Sequence, residues 1–248
     1  MFISCRSSSS SKIWITRQMR DKYKKKAVAH NYRSRSVYKL IELDQKYKLL
    51  KPGNVVIDCG AAPGGWSQYI AQKVFLDNIE EKNSSVADDD DDELMITNGK
   101  EKQAEQEKAR SGLVIAIDLL PILPIHGVNV IQGDFTHAPI QKKLRDLLKD
   151  RKADMVVSDM APNFSGQHLT DHVKSMDLCE AALSLSDQIL KSEGSFLCKF
   201  LMGGTEEEFK KQLQERFKQV RYEKPDASRA KSTEGYYMCL GYKSNKND

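Results

Sequence analysis

The stretch that most limits what this chain can fold into is VVIDCGAAPGGWSQ, from Val55 to Gln68. A β-branched run, Val55, Val56 and Ile57, ends at Asp58. The chain then turns through Gly60, Pro63, Gly64 and Gly65 into an amphipathic segment that starts near Trp66. This order predicts a strand, a tight glycine turn and a helix whose first backbone N–H groups face a ligand. Gly60 suits the sharp turn, and Gly64 and Gly65 are expected to let backbone approach a ligand with no Cβ between them. The spacing departs from G-x-G-x-x-G, and Trp66 stands where a pyrophosphate-binding loop keeps small residues. A nucleotide-like ligand without a pyrophosphate is therefore expected. S-adenosylmethionine meets that description: an adenosine to anchor, a methionine tail to lie over the glycines, and no phosphate to cradle.

The strand-then-helix pattern continues along the chain. Strands are expected at Val55–Cys59, Leu113–Asp118, Val128–Gln132, Met155–Asp159, Ser195–Phe200, Val220–Glu223 and Tyr236–Tyr242. Helices are expected over Trp14–Ala29, Ser36–Leu49, Trp66–Leu76, Ile140–Leu148, Val173–Leu190 and Phe209–Phe217, with Pro52-Gly53 ending the second. Alternation of this kind predicts one α/β domain over residues 14–248, Rossmann-like, with a mostly parallel seven-stranded sheet and helices on both faces. The last two strands lie close in sequence, so one of them is expected to run antiparallel.

Charge is unevenly spread. Residues 1–51 hold 14 Lys/Arg against 3 Asp/Glu, whereas residues 77–110 hold 5 against 12, although the whole chain carries only +4. A basic body with a basic N-terminal arm suits a polyanion, and RNA is the natural one. The acidic piece contains DDDDDE at Asp88–Glu93 and then KEKQAEQEKAR. Such a composition cannot offset chain entropy, so it is expected to be an unfolded surface insertion between a helix and the next strand. The first twenty residues contain Arg6, Lys12, Arg17, Arg20, many serines and no acid, the composition of a mitochondrial transit peptide. Residues 1–13 are expected to be that signal, and the matrix the destination. No stretch has the apolar length of a membrane-spanning helix. The five cysteines form no C-x-x-C pair and the histidines show no metal-ligand spacing, so neither a zinc site nor a disulfide scaffold is expected, and the histidines are read as surface or capping residues.

Further motifs follow the glycine loop in order: SDMAPN at Ser158–Asn163, FLCKF at Phe196–Phe200 and KPDASRAKSTEGYY from Lys224, with RSRSVYKLIELDQKY at Arg33–Tyr47 before it. Together they resemble the FtsJ/RrmJ family of ribose 2′-O-methyltransferases, over about Trp14 to Tyr242. The resemblance implies S-adenosylmethionine as cofactor and a ribose 2′-hydroxyl as methyl acceptor. WITRQMRDKY, at Trp14–Tyr23, is similar to the branch acting on large-subunit ribosomal RNA. With the N-terminal composition, this implies a uridine ribose in mitochondrial large-subunit rRNA as target, a pre-ribosomal particle or the rRNA itself as partner, no membrane, and action as a monomer. The rival readings are a tRNA ribose methyltransferase and a non-catalytic ribosome-assembly factor. An NAD-linked oxidoreductase is disfavoured by the missing G-x-G-x-x-G.

Ligands of open α/β sheets lie beyond the carboxyl ends of the strands. Asp118 ends the second strand and is expected to hydrogen-bond the adenosine ribose. Asp134, in QGDF after the third strand, matches by resemblance the residue that reads the adenine amino group. The cofactor set is then Gly60, Pro63, Gly64, Gly65, Trp66, Asp118, Asp134 and Asp159, with the Trp66 ring packing in the core. Methylating a hydroxyl needs in-line attack and a base. Lys199 is anomalous inside a central strand, where both faces are buried. By resemblance Lys39, Asp159, Lys199 and Glu234 match the family's four catalytic positions. Lys199 is read as the general base, Lys39 as a neighbouring cation favouring its neutral form, and Asp159 and Glu234 as orienting carboxylates. Arg33, Arg35, Ser228 and Arg229 are expected at RNA phosphates.

Overall fold

The computed structural model describes residues 21–75, 112–229 and 232–244. The N-terminal segment 1–13 and the acidic insertion 77–110 lie outside the described residues. Seven strands form one sheet: β1 Val55–Cys59, β2 Leu113–Asp118, β3 Val128–Gln132, β4 Ala153–Ser158, β5 Leu190–Leu201, β6 Phe217–Glu223 and β7 Glu234–Tyr242. Their order is β3-β2-β1-β4-β5-β7-β6. β7 inserts between β5 and β6 and runs antiparallel to both, while the other pairs are parallel. The link from β6 to β7 is too short for the helical crossover that a parallel pair needs.

The helices among the described residues are α1 Lys22–Ala29, α2 Val37–Tyr47, α3 Gly65–Val74, α4 Ala138–Leu148, α5 His168–Ile189 and α6 Glu206–Arg216. Side chains of a strand alternate between faces, and β1 divides accordingly. Val55, Ile57 and Cys59 pack with residues of α4, α5 and α6, such as Leu144, Ala182 and Phe209. Val56 packs with Leu40 of α2 and Ile70 of α3 on the opposite side. Both faces are covered, which is why the central strands read as unbroken apolar runs.

Several boundaries differ from expectation. Helix α1 begins at Lys22, and residues 14–20 of the expected helix lie outside the described residues. Asp21 is extended (φ −71, ψ 109) and its carboxylate accepts the N–H groups of Tyr23 and Lys24, so it caps a helix that begins at Lys22. Helix α5 starts at His168 rather than Val173, because Asp171 accepts both the N–H and the hydroxyl of Ser165 at 2.7 Å and draws the chain into an earlier turn. β5 begins at Leu190 rather than Ser195, and Glu193 at φ 65 is an irregularity within it. β4 ends at Ser158, so Asp159 stands just past the strand and at the carboxyl edge of the sheet.

Candidate active site

The glycine loop leaves β1 through Gly60 at φ 71, where a Cβ would sit 2.1 Å from Met160 Cγ. Only glycine lets Met160, the neighbour of Asp159, close over the loop. Gly64 (φ 106) precedes α3. The expectation that Gly64 and Gly65 leave room for a ligand is corrected. A Cβ on Gly64 would meet Ile125 Cδ1 at 2.5 Å, and one on Gly65 would meet Ser34 Oγ at 2.3 Å. Their missing side chains admit other segments of the protein instead. Arg33 belongs to the same packing: its guanidinium donates to Leu123 O (2.6 Å), Pro124 O (2.7 Å) and Pro63 O (3.3 Å). It fastens the loop after β1 to the loop after β2, so the structure corrects its assignment as a phosphate contact.

Four carboxylates line the strand ends. Asp118 accepts the N–H of Ala62 on one oxygen and that of Leu120 on the other, each at 2.8 Å. A carboxylate has about four acceptor sites, so capacity remains for hydroxyl donors. Asp134 closes a turn on Thr136, and the Thr136 hydroxyl and N–H hold its carboxyl below the usual range. Asp58 is buried in β1 with one hydrogen bond from Ser67 Oγ at 2.6 Å. Burial pushes its carboxyl up to about 7, and the charges of Asp159 and Asp118 add to the rise although the Ser67 bond opposes it. Trp66 packs as expected: its indole N–H donates to Ser36 O at 3.0 Å and its ring stacks on Tyr236.

Lys39, Asp159, Lys199 and Glu234 come together from α2, the end of β4, β5 and the start of β7. Lys39 and Lys199 are only 7 % and 8 % exposed, unusual for lysines without partners. Each has one. Lys199 Nζ lies 3.1 Å from Asp159 Oδ1 and also donates to Asp159 O. Lys39 Nζ lies 2.7 Å from Glu234 Oε1, so its first partner is a carboxylate and not Lys199. Burial on its own would raise the Asp159 carboxyl. The Lys199 and Lys39 ammoniums and the Tyr236 hydrogen bond outweigh it and hold the group below the usual range. Glu234 is likewise lowered against its burial, chiefly by Lys39.

Tyr236 is a member of this cluster that sequence reasoning did not single out. It is fully buried, its hydroxyl donates to Asp159 Oδ1 at 2.6 Å, and Lys39 Nζ lies 5.6 Å from its ring centre. Burial and the adjacent carboxylates push the phenol well above its ordinary value, so it stays a donor. Its one signal in the sequence was a polar-tipped aromatic two residues after Glu234, on the same strand face. His172 was read as a surface or capping residue; it is fully buried and bonds Leu201 O and Thr205.

The remaining RNA candidates divide. Arg35 pairs with Asp21 and donates to Ala227 O, so its guanidinium is internal and its phosphate assignment is corrected. Arg229 is 45 % exposed and only 3.8 Å from Asp21 at its nearest. Ser228 is buried next to Glu234 and helps lower that carboxyl, yet its hydroxyl makes no hydrogen bond of full geometry.

The carboxylate-rich edge suits a cationic ligand, and Arg33 is already committed to carbonyls where a phosphate would need it. Both fit a sulfonium that carries an ammonium group. The profile of the FtsJ-like methyltransferases matches residues 32–242. The chain belongs to this family. FtsJ-like methyltransferases use S-adenosylmethionine, which is the cofactor here. Among similar curated proteins, the ribosomal RNA large subunit methyltransferase E of Marinobacter nauticus is 38% identical over 95% of this chain and 98% of the relative. The protein of the same description from Dechloromonas aromatica is 40% identical, over 92% and 95%. A solved Plasmodium falciparum chain assigned as a ribosomal RNA methyltransferase superposes with a TM-score of 0.65 at 27% identity, over 86% of this chain and all of the other. The FtsJ-like fold agrees with the mostly parallel seven-stranded sheet expected from the sequence.

Proposed function

We propose that this protein methylates a ribose 2′-hydroxyl of large-subunit ribosomal RNA, at a uridine and in mitochondria. The observation that carries the reading is the convergence of Lys39–Glu234 and Lys199–Asp159 with Tyr236 at the edge where the family binds its cofactor. The relatives act on large-subunit rRNA, and the basic N-terminal region favours such a polyanion. The arginine- and serine-rich start supports the mitochondrial part.

S-adenosylmethionine, when bound, supplies the activated methyl, so the protein's residues need only position the hydroxyl and take its proton. The residues that would hold the cofactor are Gly60, Pro63, Gly64, Gly65 and the Trp66 backbone for the methionine portion, and Asp118 and Asp134 for the adenosine. Lys199 Nζ, in its unprotonated form, accepts the hydroxyl proton as the ribose oxygen takes the methyl. Asp159 holds that nitrogen in place, and Tyr236 fixes Asp159 in turn. Lys39 and Glu234 form the second ion pair of the cluster, which keeps both side chains in one geometry. Arg229, at the surface beside Asp21, is the group offered to RNA, whereas the buried Ser228 hydroxyl faces Glu234 and not a phosphate.

The test has two arms. Lys199→Ala and Lys199→Arg are assayed for single-turnover methylation of large-subunit rRNA within a pre-ribosomal particle. Both should lose roughly 10²–10⁴-fold in rate, since a guanidinium cannot accept the proton. Near-normal turnover of Lys199→Arg refutes the base role. Mapping 2′-O-methylation in mitochondrial and cytosolic RNA after removing the protein decides compartment and nucleotide. Loss at a tRNA position only, or at none, refutes the rRNA assignment. Residues 1–13 fused to a reporter that stays in the cytosol would refute the import signal.

A further inference from the structure

β4 and β5 pair in register as far as Ser158 and Cys198 and then part. β4 leaves the sheet, carrying Asp159 to the carboxyl edge, while β5 runs on to Leu201 beside β7 alone. The last backbone groups of β5 on the β4 side therefore lose their strand partner in a buried place, where unpaired amides and carbonyls are rare.

Helix α5 takes over. Cys179 Sγ donates to Lys199 O at 3.0 Å, the Leu201 N–H donates to Ser175 Oγ at 3.0 Å, and His172 Nδ1 meets Leu201 O at 2.6 Å. Residues 172, 175 and 179 lie on one stripe of the helix, and all three are buried. Lys199 and Leu201 are two apart in the strand, so their backbone groups point to the same edge. Leu201 O can only accept, which places the imidazole proton on Nδ1. That leaves Nε2 to accept the Thr205 N–H at 3.2 Å, in the loop after β5, with the Thr205 hydroxyl at 2.7 Å and Glu206 at 3.9 Å. Gly203 in this loop is held so close that a Cβ would lie 2.2 Å from His172 Cγ.

We infer that His172, Ser175 and Cys179 are positioning residues for methyl transfer. They replace β4 as the hydrogen-bonding edge of the last residues of β5 and set the line along which Lys199 meets Asp159 and the ribose hydroxyl. The inference rests on Lys199 being the base. Past Ser158 and Cys198 no sheet bonds tie the Lys199 backbone to the Asp159 backbone. Their relative placement depends on the α5 stripe and on the contact between Lys199 Nζ and Asp159. Small displacements of a reacting group are costly, up to about 10²-fold for 1 Å.

The test compares Ser175→Ala, Cys179→Ala and Cys179→Ser with Lys199→Ala in the full chain, measuring kcat, KM for the rRNA substrate and affinity for S-adenosylmethionine. Ser175→Ala and Cys179→Ala should each lower kcat about tenfold while KM and cofactor affinity stay within about twofold. Cys179→Ser, which keeps a donor, should recover most of the rate. Should Ser175→Ala fail to fold, the Cys179 pair decides alone. Unchanged kcat in a folded Cys179→Ala protein, or a loss that Cys179→Ser does not recover, overturns the inference even while Lys199→Ala is inactive. An active Lys199→Ala overturns the base reading and this inference with it.

Discussion

Asp58→Asn should change how stability depends on pH more than any other single substitution near the site. Asp58 is 1 % exposed in the middle of the sheet, and its carboxyl moves from an ordinary 3.8 up to about 7. Between those two values the folded protein holds a proton that the unfolded chain has released. Stability therefore falls as pH rises through this window, the reverse of the usual salt-bridged carboxylate. A shift of about three units at about 1.4 kcal/mol each makes the penalty roughly 4 kcal/mol once Asp58 is ionised. Asparagine has the same shape, can still accept from Ser67, and never ionises. At pH 5, little more than one unit into that window, the parent has already lost about 1.5 kcal/mol, which offsets the about 1 kcal/mol cost of an imperfectly paired amide, so the two should be about equally stable. At pH 8.5 the balance should swing in its favour by several kcal/mol. Urea denaturation of both proteins across pH 4.5 to 9, with the difference plotted against pH, isolates Asp58 from every group the two share. A flat difference, within about 1 kcal/mol, would show that Asp58 is not held neutral by burial.

Tyr236→Phe keeps the ring on Trp66 but removes the donor to Asp159. A bond to a charged group contributes about 1.5–3 kcal/mol, so turnover should fall while the fold persists. Asp159 titrates below its unfolded value, so its stabilisation is present above that value and lost as pH falls through the folded one. In Tyr236→Phe that stabilisation should therefore be smaller and its loss complete at a higher pH, which acid denaturation curves would reveal. Asp118→Ala should weaken S-adenosylmethionine binding substantially in calorimetry, and unchanged affinity would remove Asp118 from the site. Arg33→Ala should weaken cofactor binding and leave the salt dependence of RNA binding unaltered, whereas Arg229→Ala should flatten that dependence. The opposite pattern would restore Arg33 as a phosphate contact.

Local pattern was enough for the order of elements and the glycine loop, and the family resemblance for the four charged residues as a set. Periodicity and turn chemistry are local, so VVIDCG and GSFLCKF announce buried strands wherever they lie, and a lysine inside one is conspicuous without coordinates. Tertiary structure alone decided who pairs with whom. Lys39 and Glu234 are almost two hundred residues apart, and nothing local says that Lys39 closes on Glu234 instead of on Lys199. Arg33 and Arg35 look alike in RSRS, yet the carbonyls of Leu123 and Pro124 take the first guanidinium and Asp21 and the Ala227 carbonyl the second, because only the fold brings these distant acceptors within reach. Gly64 and Gly65 read as ligand room until Ile125 and Ser34 arrive from other segments to fill it. His172 had no strand register in sequence to mark it. Its role exists only because β4 departs from β5 at Ser158 and leaves backbone groups for a helix to satisfy. Local pattern sets what a residue can do, and the long-range pairing of polar groups sets what it does.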